Sequence, residues 1–458
     1  MKIIYINQGI INNDGRFLIM PIAMLKSLIK KITFYDKIYF LLKDSVIYGL
    51  RKKLMGQVAN MVYGSPSKNF FVIGVTGTNG KTTTVNLIHK ILNEHVSKTV
   101  MISTANIKIG NQDLENSKKM TSLDVFDLQS ILATAKDSGC KIAVLEASSH
   151  GLNQYRFEGV EFDFAVLTNI THDHLDFHGT FERYAKAKEK LFRYVLANKK
   201  QNKYAGFPAD DKIGKQRFEE MPFDQKLSYS TVASSSLKAS NIQISNSGTT
   251  FSFNYLGKSY DVKTKLLGEF NVYNILAALS VVLQMGVNID QAIKSIEGFE
   301  TVTGRMEQIE KNGVRYFIDF AHTPDALEKT LDYLSKIKGK GRLITLFGAP
   351  GNRDKSKRPI MGNIADQYSD ILIATDDDPD TENRLEILEQ LTSDIKNKQE
   401  GKNLFIIPER TLAIKFACEI AQEGDYVMFA GKGHETMQLT NFGKRKWSDK
   451  EEVIKNLK

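Results

Sequence analysis

The chain has 458 residues, 42% of them hydrophobic, and a formal net charge of +9. That length and composition describe a soluble globular protein of two to four domains with sizeable cores, and exclude a disordered or fibrous chain. Only Cys140 and Cys418 occur, far apart and outside any C-x-x-C pattern. This excludes a disulfide framework or a cysteine zinc site and predicts two buried small hydrophobes.

The N-terminal "MKIIYINQGIINNDGRFLIM" is apolar but broken by Asn, Asp and Arg before a signal-peptide core or membrane span can form, so a cytoplasmic protein is expected. Residues 1–70 hold eleven Lys and Arg against three Asp and Glu, which places eight of the nine net positive charges there. Such a segment either presents solvated lysines on amphipathic helices or attracts an anionic partner: nucleic acid, a membrane surface or a phosphorylated substrate. Residues 20–63 carry apolar clusters and lysines at helical spacing, and "YGSPSKN" at 63–69 reads as a linker. From there to about residue 200, apolar strands such as "KIAVLEAS" and "FDFAVLTNI" alternate with helical stretches, the pattern of a parallel sheet with crossover helices. Residues 201–262, rich in Ser and Thr, predict appended antiparallel strands, and a helix is expected from about Val272 to Met285. Beyond residue 300 the strands "VRYFIDF", "RLITLFG", "DILIATD" and "DYVMFAG" predict a second, doubly wound α/β domain. The expected fold is therefore α/β: a basic, mainly helical region over 1–69, a central domain over 70–300 whose opening glycine loop "GTNGKTT" (77–83) reads as that of a P-loop ATPase, and a C-terminal Rossmann-like domain over 301–458.

"FFVIGVTGTNGKTTT", residues 70–84, takes a strand into a glycine loop and then a helix. Gly77 and Gly80 let backbone N–H groups curl toward an anion, and the helix start adds positive potential. Lys81 reaches outer phosphates and Thr82 suits Mg²⁺, so the run Gly77, Thr78, Asn79, Gly80, Lys81, Thr82 and Thr83 predicts a nucleotide site. The spacing departs from G-x-x-x-x-G-K-[ST], with Val75 where a glycine is usual.

This loop resembles that of the Mur ligases, the amino-acid ligases of peptidoglycan precursor synthesis. "EASSHGLNQYR" (146–156), "TNITHDHLDFHGT" (168–180), "YAKAKEKLF" (184–192), "LLGEFNVYNILAA" (266–278), "GRMEQI" (304–309), "DFAHTPDALE" (319–328), "GNRDKSKRPIMG" (351–362) and "GKGHE" (431–435) follow in the order of the UDP-N-acetylmuramoyl-tripeptide synthetases. The resemblance covers roughly residues 63–458. It implies a carbon–nitrogen ligase that activates a carboxylate as an acyl phosphate with ATP, forms a peptide bond with an incoming amine, and works as a monomer without nucleic acid.

It also implies roles for residues. Thr82, Glu146 and His174 resemble ligands of the Mg²⁺ on ATP, and Lys188 matches the lysine that CO₂ carbamylates to hold a second Mg²⁺; the bland reading of Lys188 is a surface lysine between Lys186 and Lys190. A zinc cluster or plain loop histidines remain the other readings of His172, His174 and His178. Asn271 and Asn274, three apart at a helix start, would face the nucleotide or merely cap the helix. Arg305, Asp319 and His322 resemble the elements that close over ATP. Thr121, Ser122, Ser148, Gln154 and Arg156 match positions holding UDP-N-acetylmuramoyl dipeptide, and Arg156 suits a carboxylate through its planar fork. Arg353, Asp377, Asp378, Asp380, Gly431 and Glu435 match the site of the incoming amino acid. Family members using diaminopimelate carry Asp-Asn-Pro-Arg, where this chain has Asp377, Asp378, Pro379 and Asp380. An acid in place of the arginine predicts a basic amino acid such as L-lysine or ornithine.

A second departure lies at the N-terminus, where residues 1–62 lack the motifs and length of the usual UDP-binding domain. Either these helices meet the diphosphate by other contacts, or the acceptor differs, or the segment docks on a membrane or partner. The competing readings are a folylpolyglutamate-synthetase-like ligase and a nucleotide-binding scaffold without catalysis.

Overall fold

The computed structural model describes residues 46–114, 116 and 120–457. The described residues divide between Met55 and Gly56 into two units, each described by itself. Helix α1 (Val46–Val62) falls where the sequence predicts a helix. The remaining basic segment, with the roles expected of it toward a diphosphate, membrane or partner, lies outside the described residues. No helix among the described residues is long and apolar enough to cross a membrane.

Residues 63–69 differ from the expected linker. Pro66–Asn69 form a 3-10 turn with Pro66 and Ser67 buried, and the Ser67 hydroxyl donates to the Gly159 carbonyl at 3.3 Å. Pro at the start of the turn fixes the chain where a loose linker would need freedom.

The first α/β layer runs β1 (Phe71–Thr76), α2 (Lys81–His95), β2 (Thr99–Ile102), β3 (Ile107–Ile109), β4 (Gln112–Leu114), α3 (Val125–Asp137), β5 (Ile142–Glu146), α4 (Ser149–Asn153), β6 (Phe164–Leu167), α5 (Leu175–His178), α6 (Phe181–Ala197), β7 (Tyr204–Pro208), α7 (Lys212–Phe218), β8 (Gln225–Ser230), β9 (Leu237–Ser245), β10 (Gly248–Tyr255), β11 (Lys258–Thr264), α8 (Glu269–Val282) and α9 (Ile289–Glu297). Its strands form one eleven-stranded sheet in the order β11-β10-β9-β8-β7-β6-β1-β5-β2-β3-β4. Strand β1 lies near the middle, parallel to β5 on one side and β6 on the other. These three strands are continuous apolar runs because helices cover both faces. Their carboxyl ends converge, the place where open α/β sheets bind ligands.

The Ser/Thr-rich region is antiparallel only over β9 to β11. Strands β7 and β8 instead extend the parallel sheet from β6, since "YAGFP" is buried and can pair within the sheet. Helix α8 starts three residues before the expected Val272, because Gly268 at φ +86° turns the chain into it.

The second layer runs β12 (Glu307–Lys311), β13 (Val314–Asp319), α10 (Pro324–Ile337), β14 (Leu343–Phe347), α11 (Lys357–Tyr368), β15 (Ile371–Ala374), α12 (Arg384–Thr392), β16 (Leu404–Ile406), α13 (Arg410–Ile420), β17 (Tyr426–Ala430), β18 (Met437–Thr440), β19 (Gly443–Lys446) and α14 (Asp449–Asn456). Six strands pair in the order β12-β13-β17-β14-β15-β16. The four apolar strands expected from the sequence are β13, β14, β15 and β17, all parallel to their neighbours within this set. Apolar clusters fill both faces of each large sheet.

An ion pair crosses the second core. Arg410 and Asp449 are each 0% exposed, with Nε to Oδ1 at 2.8 Å and an Nη to Oδ2 at 2.7 Å. The same guanidinium donates to the carbonyls of Asp376 and Ala430, at the ends of β15 and β17. Trp447 is buried, and its indole N–H also donates to Asp449 at 2.8 Å. Cys140 is buried, whereas Cys418 is only half-buried.

Candidate active site

The loop between β1 and α2 is shaped by close approach. Gly80 has φ +82°, and a Cβ there would lie 2.0 Å from Asn274 Oδ1. Gly80→Ala is therefore expected to cost about 1–3 kcal/mol and to displace Asn274. Urea unfolding checks the first effect and ATP titration the second.

The loop is tied to the segment after β6. Asn169 Oδ1 accepts the Asn79 N–H at 2.9 Å, Thr168 donates to the Asn79 carbonyl at 2.6 Å, and Thr78 Oγ1 meets the Tyr184 hydroxyl at 3.0 Å. Lys81 folds back to donate to the carbonyls of Gly77 and Thr78 at 3.1 and 2.8 Å. Desolvation holds its ammonium below the usual lysine range, against the opposing charge of Glu146.

At the end of the loop Thr82 Oγ1 donates to Glu146 Oε2 at 3.0 Å. Thr104 clamps the same carboxylate through its N–H at 2.8 Å and its hydroxyl at 2.9 Å. Two hard oxygen groups side by side at a phosphate loop fit a magnesium ion. Lys188, from α6, is 1% exposed and donates to the Gly77 carbonyl at 2.6 Å. Burial, and then the charge of Lys81, push its pKa well down.

Across this corner, an Arg305 Nη donates to Thr82 Oγ1 at 3.2 Å, and the guanidinium lies 4.6 Å from the Phe320 ring centre. Asp319 accepts the Met306 N–H at 2.6 Å; burial raises its pKa and Arg305 opposes this. Asn274 donates to Asn271 Oδ1 at 2.9 Å, and both line one cleft with Gly80, Thr83, Arg305 and Asp319. His322 turns Nδ1 to the Phe320 carbonyl at 2.6 Å, and burial lowers its pKa to about 4.

The histidines do not form a zinc site. His174, at φ +54°, faces Asp173 at 3.2 Å, while His178 meets Ser149 Oγ at 3.1 Å and His172 is exposed. His150 lies edge-on to His174, their ring centres 4.6 Å apart, and burial lowers its pKa to about 2. Sequence reasoning passed over His150 although it stands inside the quoted "SSHGL".

The expected acceptor residues cluster. Ser122 and Ser148 hydroxyls are 2.9 Å apart, Arg156 donates to the Ser122 carbonyl at 2.6 Å, and its Nε donates to Gln154 Oε1 at 2.9 Å. Thr121 adjoins them, half-buried. Arg353 is exposed, yet both it and Arg156 act electrostatically on His150, so the three share one region.

Asp377, Asp378 and Glu435 also come together, but around a residue the sequence reading did not single out. Lys432 is 0% exposed, with Nζ 2.7 Å from Asp378 and 3.9 Å from Asp377, and in contact with Glu435. Burial raises Glu435 to about 7, against the pull of Lys432. A side chain on Gly431 would lie 2.6 Å from Asp377 Oδ2, so that position takes glycine. The acidic loop expected to welcome a substrate ammonium thus already holds one of the chain's own. Asp380 stands apart, at φ +52°, accepting from Asn352 Nδ2 at 3.2 Å.

A model of the Mur ligase middle domain matches residues 75–282, and one of the Mur ligase, glutamate ligase domain matches 304–433. The UDP-N-acetylmuramoyl-L-alanyl-D-glutamate 2,6-diaminopimelate ligase of Halalkalibacterium halodurans is 39% identical over 388 residues, covering 84% of this chain and 78% of the relative. The UDP-N-acetylmuramyl-tripeptide synthetase of Roseiflexus sp. strain RS-1 is 35% identical over 393 residues, covering 83% and 77%. A solved 2,6-diaminopimelate ligase of the same name as the first superposes with a TM-score of 0.59 at 34% identity, over 85% of this chain and 78% of that one. Folylpolyglutamate synthase of Mycobacterium tuberculosis gives a TM-score of 0.68 over 83% and 92%, but at 18% identity this is a likeness of fold alone. The chain belongs to the Mur ligase family, on the side of the tripeptide synthetases. It is an ATP-dependent ligase of peptidoglycan precursor synthesis, using ATP and Mg²⁺. That sets aside the scaffold reading.

Proposed function

We propose that the chain joins the carboxylate of UDP-N-acetylmuramoyl-L-alanyl-D-glutamate to an amine of 2,6-diaminopimelate. The relatives' names support both substrates. The observation that carries the site assignment is the convergence of Lys81, Lys188, Glu146 and Arg305 on the phosphate loop.

In this reading residues 70–300 hold ATP and the acceptor, and residues 301–458 bring the amino acid. The acceptor carboxylate takes the γ-phosphoryl group of ATP, and the amine then displaces phosphate through a tetrahedral intermediate. Both steps concentrate negative charge, so fixed cations and N–H donors supply the stabilisation. Loop N–H groups and Lys81 hold the phosphates, and Arg305 adds charge from the opposite side. Thr82, Glu146 and His174 would hold Mg²⁺, which neutralises phosphate charge when bound. Asn271, Asn274 and Asp319 line the nucleotide's cleft, and His322, three residues past Asp319, would close over the nucleotide. Ser122, Ser148, Gln154 and Arg156, beside Thr121, orient the acceptor.

Lys188 is the residue proposed to carry a carbamate. Burial favours its neutral amine, the form that adds to CO₂, and the product would be an anionic oxygen donor for a second Mg²⁺. Intact mass in bicarbonate, with and without acid treatment, tests it: an unchanged mass counts against the carbamate.

One observation favours L-lysine, or ornithine, as a second reading: Asp380 occupies the position where diaminopimelate-using relatives of this motif carry arginine. Lys432 weakens it, because Asp377 and Asp378 are already engaged. Asp380→Arg is expected to raise kcat/KM for 2,6-diaminopimelate relative to L-lysine about tenfold or more. An unchanged ratio would mean that Asp380 does not face the amino acid.

A further inference from the structure

The phosphate loop is gripped from a side that the motif readings leave unused. Asn79, at the apex of the loop, donates from Nδ2 to Asp325 Oδ2 at 2.7 Å. Its backbone belongs to the first sheet, through Thr168 and Asn169, while its side chain reaches helix α10 of the second.

Asp325 is held firmly. Pro324 opens α10, and Thr323 caps it by accepting the Ala326 N–H at 3.3 Å. The carboxylate therefore sits in the first turn, where the helix dipole favours an anion. Its other oxygen meets Lys329, one turn along, at 2.8 Å, and the Asp325 side chain is 20% exposed.

Asp325 lines the cleft, but both its oxygens are already engaged, one by Asn79 and the other by Lys329, so it is poorly placed to bind the nucleotide directly. It is well placed to hold the loop. Arg305 also crosses between the sheets, but its guanidinium serves the phosphates in the reading above. The amide of Asn79 makes a crossing bond that does not draw on that charge.

We propose that the Asn79–Asp325 hydrogen bond is a latch that keeps the second sheet and its amino-acid site closed on the loaded phosphate loop, which makes Asp325 a positioning residue for the amine step. The inference rests on the reading of residues 77–83 as the ATP loop. An open latch leaves the acyl phosphate exposed to water, where it hydrolyses to carboxylate and phosphate without forming a peptide bond.

The test uses the full chain with ATP, Mg²⁺, UDP-N-acetylmuramoyl-L-alanyl-D-glutamate and, in parallel, 2,6-diaminopimelate or L-lysine. Phosphate released and peptide bond formed are counted separately, and ADP binding is measured by calorimetry. Asp325→Ala is expected to lower kcat for the peptide bond about 10–100-fold and to raise phosphate released per bond, with ADP affinity within about twofold of the unaltered chain. Asp325→Asn, whose amide oxygen still accepts, is expected to recover most of the loss. Asn79→Ala removes the same bond from the other side, and the double variant should be no worse than either single one. Additive losses, unchanged stoichiometry in both alanine variants, or loss of ADP binding in Asp325→Ala would overturn the latch. If the unaltered chain binds ADP but forms no peptide bond with either amino acid, the functional reading fails instead; the latch then stands or falls on whether Asn79→Ala and Asp325→Ala give non-additive changes in nucleotide-dependent compaction by small-angle scattering.

Discussion

Lys81→Ala is expected to lower peptide-bond formation about a hundred- to a thousandfold while the chain stays folded. The ammonium stands at the start of α2, hydrogen-bonded to the carbonyls of Gly77 and Thr78. Phosphate oxygens offered to that loop compete for the same ammonium, and as anionic acceptors they hold it more strongly than two neutral carbonyls do. Removing one preorganised donor where charge develops typically costs about that factor. The fold should persist because the loop keeps its bonds to Asn169, Thr168 and Tyr184. Phosphate release and product mass measure the loss, and circular dichroism checks the fold. A near-normal rate would remove Lys81 from the mechanism.

Arg410→Ala should destabilise the chain by about 3–5 kcal/mol. The substitution leaves the Asp449 carboxylate buried with the Trp447 N–H as its remaining side-chain donor among the bonds described, and it strips a donor from the carbonyls of Asp376 and Ala430. Removing one partner of a buried pair costs far more than the pair contributes when both are intact. Asp376 leads directly into Asp377 and Asp378, so the KM for the amino acid should rise along with the loss of stability. The midpoint of urea unfolding reads the first effect; a midpoint within error of the unaltered chain would contradict it.

What the sequence made legible follows from where the information sits. The phosphate loop, the "SSHGL" and "GKGHE" runs and the alternation of apolar strands are contiguous strings whose chemistry is local, and the residues expected from them converge in the structure. Long-range partners were not legible. Nothing local in "STAN" marks Thr104 as the clamp on Glu146, since that contact spans 42 residues. Lys432 was visible as a residue of "GKGHE", but its place among carboxylates 54 residues earlier was not, and it changes how the acidic loop is understood. Local composition also misled at 63–69, where Gly, Ser and Pro suggested a loose linker although Ser67 is buried against Gly159. The start of α8 was missed because the signal was Gly268 at positive φ rather than the apolar run that follows.

The most direct measurement is phosphate release by the purified chain with ATP, Mg²⁺, bicarbonate and UDP-N-acetylmuramoyl-L-alanyl-D-glutamate, across 2,6-diaminopimelate, L-lysine and L-ornithine, with product masses recorded. Release is expected to depend on the amino acid, greatest with 2,6-diaminopimelate, with a product of the mass of the UDP-linked tripeptide. ATP binding without amino-acid-dependent release for any of the three would contradict it.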